Sequence, residues 1–116
     1  MIPRVRRSAA AAALLVCAGA AATTQAQAQA PAPDRVWNRL AECESGGRWA
    51  LDSGNGYYGG LQFSRGTWSA YGGAEHAHYP HRATRQQQIA IAERLLGAEG
   101  GYGAWPACAR ELGLPR

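Results

Sequence analysis

The chain has no apolar run long enough to span a bilayer as a helix. Its longest run of small and apolar residues, 9–22, covers fourteen positions, whereas a spanning helix needs about 20. Three arginines within residues 4–7 precede this run, and Ala-x-Ala cleavage sites follow it. These features are typical of a secretory signal peptide. We expect residues 1–28 to be removed on export, because a cut after Ala30 would leave Pro31 first.

Two other interpretations of this leader are open but less favoured. The run is short for a membrane anchor. Lipid modification of Cys17 is disfavoured because bulky Val16 precedes it, where such sites have a small residue. We therefore expect a protein that is secreted or held in the cell wall, without stable membrane insertion. Residues 29–35, which include two prolines, would then be a short linker, and 36–116 would form one domain.

Lysine is absent, and the chain has little excess charge once the leader is removed. The whole sequence carries 12 arginines and 8 acids, for a net charge of +4. Three of the arginines lie in the leader, so nine remain against the same eight acids. One excess positive charge gives no basis for nucleic-acid binding. We attribute the lack of lysine to genome composition.

Cysteine is scarce, and its pattern argues against a metal site. Apart from Cys17, the chain contains only Cys43 and Cys108, an even pair that favours a disulfide in an oxidising compartment. Closing this 65-residue loop would contribute about 4 kcal/mol to stability. Three histidines cluster in segment 75–82, but no paired cysteine or carboxylate spacing accompanies them. We expect a solvated histidine loop, no metal and no cofactor.

The residue pattern predicts an α+β fold that is mainly helical and includes one short β-hairpin. Caps, prolines and glycines mark the boundaries of the elements. In chain order, we predict a helix from an Asp34 N-cap to about Glu44, a hairpin turn at Gly54-Asn55-Gly56, a helix from Ser64 or Arg65 to about Tyr71, a loop over 72–82, a helix from the Thr84–Gln87 capping box to a stop at Gly97, and a helix from Pro106 to Leu112.

One acid lies on the apolar face of the first predicted helix. Trp37, Leu40 and Glu44 are spaced by three and four residues, so they share one helical face at 100° per residue. Glu42 falls on the opposite face, toward solvent. A carboxyl group on an apolar face loses hydration, which raises its pKa toward the range that a general acid needs. Glu44 is therefore the candidate catalytic residue.

All ten aromatic residues follow the leader, and several lie among glycines and polar residues. Such rings suit stacking on the apolar faces of sugars, and nearby glycines let a ligand approach the backbone. The aromatics for which we predict this role are Tyr57, Tyr58 and Trp68. Burial habits predict instead that the core contains Trp37, Trp49 and Trp105.

A set of motifs extends over about 36–112: Cys43-Glu44-Ser45-Gly46-Gly47, Gly59-Gly60-Leu61-Gln62-Phe63, Thr67-Trp68, the stretch from Arg85 to Glu93, and Gly103-Ala104-Trp105-Pro106 with Cys108. Taken together, these motifs resemble the resuscitation-promoting factor domain of actinobacteria. Through the Glu-Ser pair followed by Gly-Leu-Gln, the resemblance also extends to the wider lysozyme-like lytic transglycosylase group.

The resemblance implies a small lysozyme-like domain that cleaves β-1,4 MurNAc-GlcNAc bonds of peptidoglycan, with Glu44 as general acid/base and a Cys43–Cys108 disulfide. It further implies a role in cell-wall remodelling and in restarting growth of dormant cells. The expected partners are glycan strands and a peptidoglycan endopeptidase, and the expected state is a monomer. The candidate substrate-binding residues are Tyr57, Tyr58, Gln62, Thr67, Trp68 and Asp52.

Two departures from the family pattern affect the predicted substrate subsites. Ser64 stands where some members carry an aspartate, and Asp52 stands where many carry an asparagine. Segment 75–82 is also unusually rich in histidine. These differences concern the details of substrate binding and leave Glu44 as the expected acid.

Glu44 alone leaves two catalytic schemes open. Cleavage needs an acid that protonates the leaving oxygen and a group that captures the oxocarbenium-like centre. Asp52 is the nearby candidate for a second carboxylate, although a solvated turn is the commoner place for such an aspartate. Without it, the N-acetyl or 6-hydroxyl group of the sugar captures the centre, and the 6-hydroxyl yields a 1,6-anhydro product. The sequence favours this single-acid scheme.

Two functions of other classes are also open. A non-catalytic peptidoglycan-binding or growth-signalling module would use the same aromatics and glycines. A disulfide-stapled inhibitor of muramidases would bind the enzyme and lack activity. Neither needs an acid on an apolar helix face, where it costs stability, so we favour an enzyme.

Overall fold

The computed structural model describes residues 32–116, so the predicted signal peptide and the first three residues of the predicted linker lie outside the described residues. The fold is α+β and mainly helical, as predicted. Two short 3-10 turns, Gly73–Glu75 and Pro80–Arg82, join the second and third helices. The helices and strands are α1 (Asp34–Ser45), β1 (Tyr57–Tyr58), β2 (Phe63–Ser64), α2 (Arg65–Ala70), α3 (Arg85–Glu99) and α4 (Pro106–Leu112).

Helix α1 begins one residue earlier than its predicted cap implied. Pro33 precedes the helix, and Asp34 lies inside the first turn without a side-chain capping bond. Its carboxylate is favourable there because the N-terminal end of a helix carries partial positive charge. The helix therefore includes Asp34 and Arg35, the last two residues of the predicted linker 29–35. The helix ends at Ser45, and Gly46 follows it with a left-handed φ of 65°. The Gly46 N–H donates to the Glu42 carbonyl and the Gly47 N–H to the Ala41 carbonyl.

The β-hairpin forms, but its turn is not the predicted one. Strands β1 and β2 pair antiparallel, with Tyr57 opposite Ser64, so the connecting turn is 59–62. The Gly54–Gly56 turn instead returns the chain from Asp52 to Tyr58, which face each other as an isolated β-bridge. The local turn signal was correct, whereas its assignment to the strand pair was wrong.

The later helices follow their local signals closely. The Ser64 side chain caps α2 by accepting the Thr67 N–H, and the Thr84–Gln87 capping box opens α3. Helix α3 passes through the predicted stop at Gly97 and ends at Glu99, where it is followed by Gly100 with a left-handed φ of 73°. A glycine inside a helix costs only about 1 kcal/mol relative to alanine, so Gly97 does not end it.

The core confirms two of the three predicted tryptophans. Trp37 and Trp105 are buried, whereas Trp49 is half-buried at the edge of the core, with the Arg85 guanidinium 5.3 Å from its ring. The prediction of a solvated histidine loop is wrong for His81, because only 11% of its side chain is exposed.

A disulfide joins Cys43 of α1 to Cys108 of α4, with 5.9 Å between their Cα atoms. This confirms the predicted pairing, which ties the two ends of the domain together. Within residues 32–116, no helix combines the length and apolarity that a membrane span requires.

Candidate active site

Glu44 opens onto a surface groove of about 390 Å³. A smaller cavity of about 80 Å³ continues it, sharing several lining residues and extending to Ser64 and Thr67. Together they form what we call the groove. The residues that line its larger part are Glu44, Asn55, Tyr57, Gln62, Ala104, Trp105, Pro106 and Ala107.

The Glu44 carboxyl is half-buried at the C-terminal end of α1. Burial raises its pKa above the ordinary carboxyl value, and no charged neighbour among the described residues offsets this effect. The C-terminal end of a helix carries partial negative charge, which also disfavours the ionised form. Glu44 therefore holds its proton to higher pH than an exposed glutamate does, as a general acid requires.

Ser45 fixes the end of α1 that carries Glu44. Its hydroxyl Oγ lies 2.9 Å from the Ala41 carbonyl oxygen and 2.8 Å from that of Gly60. The same oxygen accepts the Arg48 N–H at 3.1 Å. These contacts anchor the helix end to the loop after β1, so the acid and the groove share one rigid support.

Gln88 of α3 holds that loop from below. The side chain is fully buried, and its Oε1 accepts the Gly60 N–H at 3.0 Å. Its Nε2 donates to the carbonyls of Trp49 at 2.9 Å and Ala83 at 3.0 Å. A Cβ at position 60 would overlap the Trp49 indole, so the close approach of the loop backbone to this ring requires glycine.

Ser45 and Gln88 are positioning residues that we did not predict from the sequence. For Gln88 a signal existed, since it shares a helical face with Ile91, Ala92 and Leu95. The argument that selected Glu44, a polar residue on an apolar helix face, would therefore have selected Gln88 as well.

Three predicted substrate-binding residues line the groove: Tyr57, Gln62 and Thr67. Tyr57 is 51% exposed, which leaves its ring free to stack on a ligand. Gln62 has a φ of 54°, uncommon for a residue other than glycine, and its amide donates to the Gly59 carbonyl at 2.9 Å. Such strained conformations are typical of functional sites.

The other three predicted residues do not line the groove. Trp68 is fully buried, and its Nε1 donates to the Ala77 carbonyl at 2.7 Å. Its ring faces are covered by the core, so the prediction that it stacks on sugars is wrong. Tyr58 points to the opposite side of β1 and packs on His81. Asp52 accepts the Gly54 N–H at 3.1 Å. Among the described residues, Glu44 is the one carboxylate in the lining.

A family model described as a transglycosylase-like domain matches residues 31–108. The chain belongs to this transglycosylase-like domain family. It is 62% identical over 89 residues to the resuscitation-promoting factor Rpf1 of Corynebacterium glutamicum, which covers 77% of the chain. It is 54% identical over 87 residues to RpfA of Mycobacterium tuberculosis and 51% identical over 89 to Rpf of Micrococcus luteus, covering 75% and 77% of the chain. The resemblance inferred from the motifs is confirmed.

The transglycosylase-like domain forms only part of these relatives. The matched region amounts to 46% of the Corynebacterium protein, 21% of the Mycobacterium protein and 38% of the Micrococcus protein. The chain therefore spans less than half the length of each of these proteins.

Proposed function

We propose that this protein is a secreted glycosidase that cleaves the β-1,4 bond between N-acetylmuramic acid and N-acetylglucosamine in peptidoglycan. The observation that carries the proposal is a single half-buried carboxyl of raised pKa, Glu44, at the wall of an open groove. Membership of the transglycosylase-like family supports it. The names of the relatives support a role in resuscitating dormant cells.

In the proposed reaction, Glu44 acts first as an acid and then as a base. It gives its proton to the glycosidic oxygen as the bond between that oxygen and C1 of muramic acid breaks. The described lining offers no second carboxylate, so the sugar's own 6-hydroxyl oxygen bonds to C1. The Glu44 carboxylate takes up the hydroxyl proton. The acid is restored without consuming water, and the product carries a 1,6-anhydro end.

A non-catalytic glycan-binding module is the alternative, and the pKa of Glu44 argues against it. A ligand hydroxyl is bound well by an ionised carboxylate at the surface, where the group keeps its hydration. Burial at a negative helix end disfavours the ionised form of Glu44, so the carboxyl keeps a proton available for transfer to higher pH. Binding alone does not need that change.

Mass analysis of fragments released from peptidoglycan by the purified protein tests this function. The wild type should release fragments with 1,6-anhydro ends, lighter by one water than hydrolytic ends. Glu44→Gln keeps the shape, loses the proton and should abolish release. Glu42→Gln lies on the solvent face of the same helix and serves as the matched control. If Glu44→Gln keeps most of the wild-type rate, Glu44 is not the acid.

Asp52→Asn separates the two catalytic schemes. A nucleophile or general base would lose several orders of magnitude in kcat, because its carboxylate acts in the transition state. We expect a loss of at most about tenfold, from altered electrostatics alone. Exclusively hydrolytic ends together with an inactive Asp52→Asn variant would establish a two-carboxylate muramidase instead.

A further inference from the structure

Behind strand β1, on the side away from the groove, lies a cluster that we call the aromatic clamp: Tyr58, Tyr79, His81 and Asp52. The His81 ring stacks on Tyr58, with centroids 5.3 Å apart and planes 21° apart. Tyr79 meets both rings edge-on, at 5.2 Å from Tyr58 and 5.8 Å from His81. The Arg65 guanidinium lies 4.6 Å from the Tyr79 ring. The strand is thus packed from behind.

The two nitrogens of His81 have different surroundings. Nε2 lies 4.0 Å from Oδ2 of Asp52, whereas Nδ1 is buried without a hydrogen-bond partner among the described residues. A buried N–H that finds no acceptor is costly, so the neutral ring carries its proton on Nε2, toward the carboxylate. Stacking on Tyr58, with an Asp52 oxygen on the Nε2 side, therefore holds the ring in one orientation.

The clamp is coupled to the groove through the backbone. Asp52 faces Tyr58 in the β-bridge, and the turn between them contains Asn55, whose Oδ1 accepts the Tyr57 N–H at 3.0 Å. Asn55 and Tyr57 line the groove together with Glu44. Because successive strand residues point to opposite faces, holding Tyr58 from behind sets the direction of Tyr57.

The geometry points to His81 as a positioning residue for the substrate groove. With Asp52 it holds the turn and β1, so that Asn55 and Tyr57 stay beside the acid. His81 itself is not part of the groove lining. Its loss should therefore weaken substrate binding and leave the chemical step intact. The effect on kinetics rests on the proposed function, whereas the effect on the order of the hairpin does not.

Amide hydrogen exchange and steady-state kinetics of the purified protein test this role. The reporter is the Gly59 N–H, which bonds to the Leu51 carbonyl at 2.8 Å across the bridge. His81→Ala should speed its exchange about tenfold and raise KM for soluble glycan strands about tenfold, with kcat within about twofold. His81→Phe keeps the stacked ring, so the fold survives, and should change both quantities in the same direction by less. His78→Ala, an exposed histidine of the same loop, should change neither.

Asp52 variants distinguish positioning from chemistry. Asp52→Asn keeps an oxygen toward Nε2 and should leave KM within about twofold, whereas Asp52→Ala should raise KM as His81→Ala does. The His81→Ala/Asp52→Ala pair should raise KM by less than the product of the two single effects, because both variants remove the His81–Asp52 contact in addition to contacts of their own. The ¹⁵N signals of the His81 ring should report a protonated Nε2 and a bare Nδ1.

Unchanged Gly59 exchange in His81→Ala, or a loss in kcat at constant KM, would overturn the positioning role. The cleavage assay and the hydrogen-exchange assay test separate claims. If the wild type leaves peptidoglycan intact, the proposed glycosidase is refuted, and the exchange of Gly59 alone then decides whether His81 orders the hairpin.

Discussion

Gln88→Leu should lower the free energy of unfolding by about 3 kcal/mol, although leucine is the more apolar residue at a fully buried position. The amide satisfies three backbone groups, the Gly60 N–H and the carbonyls of Trp49 and Ala83. Leaving each unpaired costs about 1–3 kcal/mol, or about 6 kcal/mol at mid-range. Burying the apolar side chain returns about 1.5–3 kcal/mol. The backbone loss therefore exceeds the apolar gain by about 3 kcal/mol even when the larger apolar gain is taken.

Thermal unfolding followed by circular dichroism, with the disulfide intact, measures this effect. A domain of this size loses about 4–8 °C in Tm per kcal/mol, so the expected fall is about 12–24 °C. Gln86→Leu is the matched control, because Gln86 is exposed on the same helix and should change stability by less than about 0.5 kcal/mol. A Gln88→Leu loss below about 1 kcal/mol would refute the reasoning, since it would mean that the three backbone groups find other partners.

Two further predictions concern the disulfide and the acid. Reducing the Cys43–Cys108 bond should cost about 4 kcal/mol, seen as a lower Tm, and the native protein should weigh two hydrogens less than the reduced form; two free thiols in native material would contradict this. Because burial raises the folded-state pKa of Glu44, its contribution to stability is full below the ordinary carboxyl value and is lost as pH rises through the raised pKa. Glu44→Gln should therefore raise Tm at neutral pH but not at about pH 4, and an equal gain at both would disprove the linkage.

The features that could be predicted from the sequence are those encoded locally. The capping box of α3, the proline that opens α4 and the glycines after α1 and α4 act within one helical turn. The placement of Glu44 on an apolar face also needs only helical periodicity. The disulfide followed from having two cysteines left in an exported chain. Each of these predictions required no knowledge of which segments pack together.

The features that were missed depend on contacts between distant segments. The Gly54–Gly56 turn is a local signal, but its role depends on which segment pairs with β1. Strand β1 faces both Asp52, across this turn, and Ser64 of β2. Trp68 is covered because its indole reaches the Ala77 carbonyl beyond α2. The partners of Gln88 lie up to 39 residues away in sequence. Residue composition and local spacing do not indicate which distant segments come into contact.

The hydrogen bonds that join Ser45 to the loop after β1, and that loop to Gln88, are between uncharged groups, and the chemistry proposed for Glu44 explains why. A positive side chain beside the carboxyl would hold the helix end as well as Ser45 does, but it would lower the pKa and remove the acid. Arg48 is close in sequence, yet its Nε donates to the Ser45 carbonyl at 2.8 Å. The link from Gln88 through Gly60 to Ser45 consists of neutral hydrogen bonds. Such a network fixes the geometry of the acid while leaving its raised pKa intact, which an ion pair could not do.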